Sequence, residues 1–164
     1  MLDPKPLDFL EGIRVLDIGQ YLPGPYAAQI LADLGAEVIK VEPPSGDPMR
    51  RMAPLDDNGV SLDYGAVNAG KTVITIDLKS EAGRDAFAGL LGGADVLIES
   101  FRPDVLDRLE FTRERIEALN PALIHVSLSG WGQTGPYRDR AGHDINYMAL
   151  GGGLNASGPQ SHVV

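Results

Sequence analysis

The sequence of 164 residues contains no cysteine. Disulfide bonds and thiolate chemistry are therefore excluded, and a cytoplasmic location is the default expectation. No uninterrupted apolar run reaches the length of about 18 residues that a transmembrane helix needs. The amino terminus has no basic segment ahead of an apolar one, as a secretory signal would have. We therefore predict neither a membrane span nor a secretory signal.

Basic residues are also scarce: 14 Lys and Arg stand against 23 Asp and Glu, which gives a formal net charge of −9. This balance disfavours a nucleic-acid partner, because such a surface needs a basic stripe. An anionic small ligand is still compatible with the sequence where basic residues gather locally. No spacing of histidines and carboxylates typical of a metal site occurs, so no metal is predicted.

Short apolar stretches alternate with segments of helical periodicity along the chain. Strands are predicted at 13–18, 38–41, 72–78, 95–98 and 123–128, and helices at 25–34, 80–91 and 104–119. Ser80 is the predicted N-cap of the second helix. Between the second and third strands, residues 43–70 are predicted to be irregular. The alternating order predicts an α/β fold, an open and largely parallel Rossmann-like sheet with helices on both faces.

Ligands of such sheets bind beyond the carboxyl ends of the strands. Three segments rich in glycine or charge fall there, at 19–25, 99–103 and 129–143. Free amide groups at the start of the helix after residues 19–25 can bind an anion, and a tight connection without a ligand is the alternative. The dinucleotide and P-loop motifs are missing from this first turn, which disfavours a nicotinamide-dependent dehydrogenase.

Single basic residues near these segments have a functional and an ordinary interpretation. Lys71, just before the third strand, can pair with a phosphate or stand in a simple turn. Arg102 can bind a phosphate, stack on an adenine ring or remain solvated. His143 follows the glycine-rich segment, and an imidazole with a pKa near ~6.5 suits proton transfer at neutral pH. A structural or merely exposed histidine is the alternative there, and the preferred interpretation for His125 and His162.

Together, these features resemble the family III CoA-transferases, which include formyl-CoA transferase, carnitine CoA-transferase and α-methylacyl-CoA racemase. The resemblance extends from about Leu7 to Ser157 and rests on segments 10–34, 38–43, 68–71, 99–103 and 123–147 in family order. Residues 142–147, Gly-His-Asp-Ile-Asn-Tyr, are most similar to the racemase branch. Transferases commonly have an aromatic residue in place of His143.

The resemblance implies roles for particular residues. His143 is the expected base on one face of the thioester α-carbon, and Asp144 is expected to orient it or to cap a helix. Coenzyme A enters as part of an acyl-CoA thioester, and no tightly bound cofactor is expected. The expected contacts of its nucleotide part are Tyr21, Leu22, Pro23, Lys71, Arg102 and Arg108.

The chain also departs from the family pattern. Pro43 and Thr72 occupy positions where many relatives carry an arginine. The family's catalytic aspartate, its small second domain and its returning segment lie beyond Val164 in the family order. Residues 1–164 are therefore expected to be the N-terminal part of the CoA-binding large domain, and a homodimer, interlocked in full-length members, is expected.

Three functions are compatible with this sequence. The first, which the motif around His143 makes the preferred one, is racemase-type removal and return of the α-proton of a 2-methylacyl-CoA. The second is transfer of CoA between an acyl-CoA and a carboxylic acid. The third is a catalytically incomplete fragment that binds CoA.

Overall fold

Five parallel strands form one sheet in the first of the chain's two compact units. The computed structural model describes residues 8–156, and the units are Met1–Leu128 and Ser129–Val164. In chain order, the strands are β1 (Arg14–Asp17), β2 (Glu37–Glu42), β3 (Thr72–Thr75), β4 (Val96–Glu99) and β5 (Ile124–Ser127). The sheet order is β3-β2-β1-β4-β5, and every neighbouring pair is parallel. The predicted α/β fold is confirmed.

Five helices of the first unit connect these strands. They are α1 (Pro23–Asp33), α2 (Leu62–Asn68), α3 (Glu81–Gly92), α4 (Val105–Arg108) and α5 (Arg113–Leu119). Side-chain caps fix several starts: the hydroxyl of Ser61 accepts from the amide of Tyr64, and that of Ser80 accepts from Gly83. Ser80 was the predicted cap of the helix after β3, and the structure confirms it.

Two apolar clusters cover the two faces of the sheet. On one face, Leu16 and Leu97 pack with Phe87 of α3 and Ile116 of α5. On the other face, the smaller cluster includes Ala28 of α1 together with buried valines of the strands. Because strand residues alternate between the faces, each buried strand contributes to both clusters. Helices therefore lie on both faces, as the sequence predicted.

Three local predictions were wrong. Residues 43–70 are not all irregular, since they include a 3-10 helix at Pro48–Arg51 and helix α2. The segment 104–119 is two helices, because the chain turns at Glu110, whose φ of 67° lies in the left-handed region and ends the first helix. Helix α1 begins at Pro23, two residues before the predicted start.

The second unit is described from Ser129 to Ala156. It begins with the glycine-rich segment and continues through α6 (Asp144–Leu150) to a 3-10 helix at Gly153–Ala156. Trp131 packs against the rings of Tyr137 and Tyr147, with ring centroids 5.6 Å and 4.8 Å away. These three rings form the aromatic centre of the unit.

Candidate functional site

A cavity of about 580 Å³ lies at the carboxyl edge of the sheet in the first unit. This volume falls within the range of roughly 300–1,000 Å³ typical of small-molecule sites. Its walls come from the segments that follow β1 to β4 and from α4. The lining residues are Ile18, Gln20, Val41, Glu42, Pro43, Ser45, Ile76, Asp77, Leu78, Lys79, Phe101, Val105, Arg108 and Leu109.

Two uncompensated cations line this otherwise largely apolar cavity. Neither the guanidinium of Arg108 nor the ammonium of Lys79 forms a side-chain hydrogen bond or ion pair with any residue among 8–156. Two acids share the walls. Glu42 is ion-paired to Arg50 at 2.7 Å, and Asp77 accepts a hydrogen bond from the backbone amide of Lys79 at 3.0 Å. The cavity therefore combines apolar walls with positive charge that is available to an anion.

Lys79 was not recognised from the sequence, although a signal for it was present. It follows the segment predicted as the third strand, and the carboxyl ends of parallel strands meet at one edge of the sheet. Arg102 lies on the same edge but is exposed and does not line the cavity. Of the two predicted arginines, the structure thus places only Arg108 in the cavity wall.

The turn between β1 and α1 carries Tyr21, Leu22 and Pro23. The side chains of Tyr21 and Leu22 are half exposed, and the preceding Gln20 lines the cavity. Tyr21 has a φ of 59°, a conformation that costs energy for a residue other than glycine and must be stabilised by its surroundings.

Both ends of this turn approach each other closely. A Cβ added to Gly19 would lie 3.0 Å from the Cα of Gly24, so the backbone there would have to shift by a few tenths of an ångström to admit it. The hydroxyl of Ser100, at the end of β4, accepts from the amide of Gln20 at 2.9 Å. This contact ties the turn to the loop that carries Phe101 and Arg102.

Lys71 lies beneath this turn rather than in the cavity. Its side chain is fully buried, and its ammonium donates to Asp17 Oδ2 at 2.9 Å, to the carbonyl of Pro25 at 2.7 Å and to Asn68 Oδ1 at 3.1 Å. Burial lowers the pKa of Lys71 below its ordinary value, although the nearby Asp17 carboxylate opposes this shift. All three ammonium hydrogens have protein acceptors, so internal contacts hold Lys71 in place, and its contact with a phosphate stays a prediction.

A second buried lysine stands beside the first. The ammonium of Lys40 lies 3.1 Å from Asp47 Oδ2 and 4.0 Å from Asp17 Oδ2, and it donates to the carbonyl of Gly19 at 2.9 Å. All these side chains are almost completely inaccessible to solvent. The sequence alone did not indicate this cluster, because its members come from four separate segments. We call Asp17, Lys40, Asp47 and Lys71 the buried ion cluster.

The wall residue Glu42 is held in its charged form. Burial raises the pKa of Glu42, but hydrogen bonds from Arg50, Tyr64 and the Asp47 amide outweigh this effect, and the pKa lies below its ordinary value of 4.5. The guanidinium of Arg50 also stacks on the Tyr64 ring at 4.1 Å. These bonds connect β2 to the otherwise irregular segment after it.

His143 and Asp144 belong to the second compact unit. Nδ1 of His143 lies 3.5 Å from Asp144 Oδ1, and the two side chains are 92% and 87% exposed. The backbone amide of His143 donates to Asn146 Oδ1 at 2.9 Å, which fixes the first turn of α6. The structure thus places the two predicted catalytic residues next to each other at the start of a helix.

The same unit contains the G-x-G-x-x-G spacing that the first turn lacks. Residues 130–135 read Gly-Trp-Gly-Gln-Thr-Gly and follow β5. A dinucleotide site needs a helix that opens within this motif, whereas α6 begins only at Asp144. The spacing is therefore not a dinucleotide fingerprint here. No cluster of metal-ligand side chains occurs among residues 8–156, and no helix in that range is long and apolar enough to cross a bilayer.

The fold and the cavity define an open α/β domain with a largely apolar cavity, lined also by Arg108 and Lys79, at the carboxyl edge of its sheet. The family model of CoA-transferase family III matches residues 10–163, and the chain belongs to this family. It is 45% identical over 150 residues to the succinyl-CoA–D-citramalate CoA-transferase of Chloroflexus aurantiacus, covering 91% of this chain and 37% of the relative. It is 43% identical over 155 residues to the acetyl-CoA:oxalate CoA-transferase of Acetobacter aceti, covering 94% and 40%.

Solved structures agree with this assignment. A CAIB/BAIF family protein from Brucella suis superimposes with a TM-score of 0.87 at 40% sequence identity, covering 93% of this chain and 41% of that one. The chain therefore spans about two fifths of the length of these relatives.

Proposed function

We propose that this protein transfers coenzyme A from an acyl-CoA to a carboxylic acid, and that its cavity binds the nucleotide part of CoA. The observation that carries the proposal is a pair of cations on the apolar walls at the carboxyl edge of the sheet, Arg108 and Lys79, whose side chains have no partner among residues 8–156. Membership of CoA-transferase family III supports it, and so do the names of the two relatives, both CoA-transferases. In the reaction, the donor's acyl carbon loses the CoA sulfur and gains one carboxylate oxygen from the acceptor acid. The acceptor's carboxyl carbon loses that oxygen and gains the sulfur, so the two carboxylic acids exchange places on CoA.

The chemistry of the cavity matches the parts of the nucleotide. The planar guanidinium of Arg108 can bind two oxygens of one phosphate, and the ammonium of Lys79 acts as a compact charge beside it. Phe101 and the aliphatic side chains around it form an apolar wall for the adenine ring. Arg102 and the turn residues Tyr21, Leu22 and Pro23 are assigned to the rim, and Lys71 supports that turn from below.

Titration of CoA into the chain, followed by calorimetry, tests the binding part. We expect Arg108→Ala and Lys79→Ala each to weaken CoA binding about tenfold, with a smaller loss at high salt, because each removes a phosphate partner. Arg113→Ala is the matched control, since Arg113 is exposed and pairs with Glu117 away from the cavity. Unchanged affinity in both cavity variants would contradict the assignment.

Racemase-type chemistry is the second candidate, and the His143–Asp144 pair favours it. A histidine next to a carboxylate can accept the α-proton of a thioester, with the carboxylate stabilising the imidazolium that forms. Transfer to an acid needs no such base.

Two assays on the same protein separate the candidates. Succinyl-CoA is incubated with carbon-13-labelled oxalate, malate or citramalate, and label appearing in the CoA thioester supports transfer. In deuterium oxide, uptake of deuterium at the α-carbon of a 2-methylacyl-CoA, lost in His143→Ala, supports the racemase. Deuterium uptake without transfer of label would overturn the proposed reaction.

A further inference from the structure

The buried ion cluster joins two walls of the cavity. The carbonyl of Gly19 and the amide of Tyr21 belong to the turn after β1, and Lys40 and Asp47 contact them at 2.9 Å and 3.4 Å. Asp47 itself lies in the loop after β2, whose Pro43 and Ser45 line the cavity. The ion pair between Lys40 and Asp47 therefore stands where the turn and this loop meet.

Asp47 organises the loop as well as the turn. Its Oδ1 accepts from the amide of Met49 at 2.9 Å and so caps the short 3-10 helix, while its own amide donates to Glu42 Oε2 at 3.1 Å. Its Oδ2 faces the ammonium of Lys40 at 3.1 Å. One carboxylate thus links the end of β2, the loop and the turn.

The turn needs such support because its backbone is strained. Tyr21 adopts a φ of 59° without being a glycine, and α1 starts with no side-chain cap. The backbone between Gly19 and Pro25 instead receives contacts from the buried side chains of Lys40, Asp47, Lys71 and Asp17. A buried ion pair that contributes little net stability can still select one local conformation.

We propose that Lys40 and Asp47 are positioning residues that hold the turn and the loop in the shape that binds coenzyme A. This inference rests on the proposed function for its ligand. Neither side chain touches the ligand, because both are fully buried. They act through the carbonyl of Gly19 and the amide of Tyr21, and thereby set the position of Gln20 in the cavity wall.

The test uses a charge-balanced double variant, Lys40→Met with Asp47→Asn. The amide oxygen of the introduced asparagine keeps an acceptor for the amides of Met49 and Tyr21, and no unpaired ion stays behind at either position. The introduced methionine, however, cannot donate to the carbonyl of Gly19. The single variant Lys40→Met leaves an unpaired buried carboxylate and is expected to lower the thermal midpoint, whereas the double variant recovers it.

Two readouts are measured on each protein. Hydrogen exchange without ligand reports the order of the turn, and we expect the amides of residues 19–22 to exchange at least about tenfold faster in the double variant. Calorimetry reports CoA affinity, and we expect the dissociation constant to rise about tenfold, because binding must now order the turn. The matched control is Arg14→Met with Glu37→Gln, which removes an exposed ion pair of the same sheet.

Each result decides one of the proposals. If the wild-type chain does not bind CoA, the proposed function fails, whatever the exchange data show. If the wild type binds and the double variant recovers its thermal midpoint but binds CoA equally well, only the positioning role fails. Wild-type exchange rates in the turn of the double variant would also overturn the positioning role. Faster exchange together with weaker binding, absent from the control, is the expected result.

Discussion

Replacement of Lys71 by methionine tests whether this residue is structural rather than a ligand contact. Its ammonium makes three buried contacts, with Asp17, the carbonyl of Pro25 and Asn68. After the substitution, the Asp17 carboxylate still accepts a hydrogen bond from the amide of Gly19 at 2.9 Å. The nearest remaining cation is the ammonium of Lys40, 4.0 Å away. The change therefore leaves a buried charge with weak compensation.

The loss of stability in Lys71→Met can be calculated from this geometry. Removing one partner of a buried ion pair typically costs about 3–5 kcal/mol. Because Lys40 is near enough to compensate in part, we expect the lower end, a loss of about 3 kcal/mol in the free energy of unfolding. For a chain of this size, about 2–4 °C per kcal/mol applies, so the thermal midpoint falls by roughly 10 °C.

Urea unfolding and calorimetry measure both quantities. The double variant Lys71→Met with Asp17→Asn removes the stranded charge, so it should regain most of the stability, to within about 1–2 kcal/mol of wild type. A loss below about 1 kcal/mol in the single variant would refute the reasoning, since such a value is typical of an exposed lysine. Equal losses in the single and double variants would refute the ion-pair explanation as well.

Three further predictions concern other parts of the chain. The pKa of Glu42 in the folded state lies below 4.5, because hydrogen bonds outweigh the effect of burial. Its contribution to the free energy of unfolding is therefore present above pH 4.5 and is lost as the pH falls through the lower folded-state pKa. The stability difference between wild type and Glu42→Gln should therefore shrink in urea unfolding below about pH 4.5. In helix α3, Gly83→Ala should destabilise the protein, because the added Cβ would clash with the backbone carbonyl oxygen of Asp77. A Cβ added at Gly89 of the same helix meets no atom within 4 Å, so Gly89→Ala should stabilise the protein by about 0.5–1 kcal/mol; thermal unfolding measures both changes. Gly130→Ala should displace the ring of Tyr147, which packs on Trp131. A fluorescence spectrum of this single tryptophan identical to wild type would contradict the packing.

The elements of the fold were largely predictable because their signals are local. Apolar runs gave the five strands, and Ser80 marked the start of α3. The predictions of helices failed where tertiary contacts determine the path of the backbone. Residues 104–119 have one helical pattern, yet the buried Phe111 packs edge-on against Phe87 at 5.0 Å, and the helix is interrupted there.

The candidate site was only partly predictable. Arg108 was expected to bind the nucleotide part of CoA, and it lies in the cavity wall, whereas Lys79 was not expected and lies in the same wall. The racemase branch was preferred on the local motif around His143, while the relatives reported above are CoA-transferases. A short motif describes one part of a site, and identity over most of the chain describes the family.

The sequence by itself determined that the chain is an α/β sheet and that ligands belong at the carboxyl ends of its strands. Both conclusions follow from periodicity and from the geometry of parallel strands. Only the tertiary structure decided which cations face the cavity and which are internal. Lys71 is buried because the fold brings it to Asp17, 54 residues earlier in the chain, and Lys79 is available because no acid in the described residues reaches its ammonium.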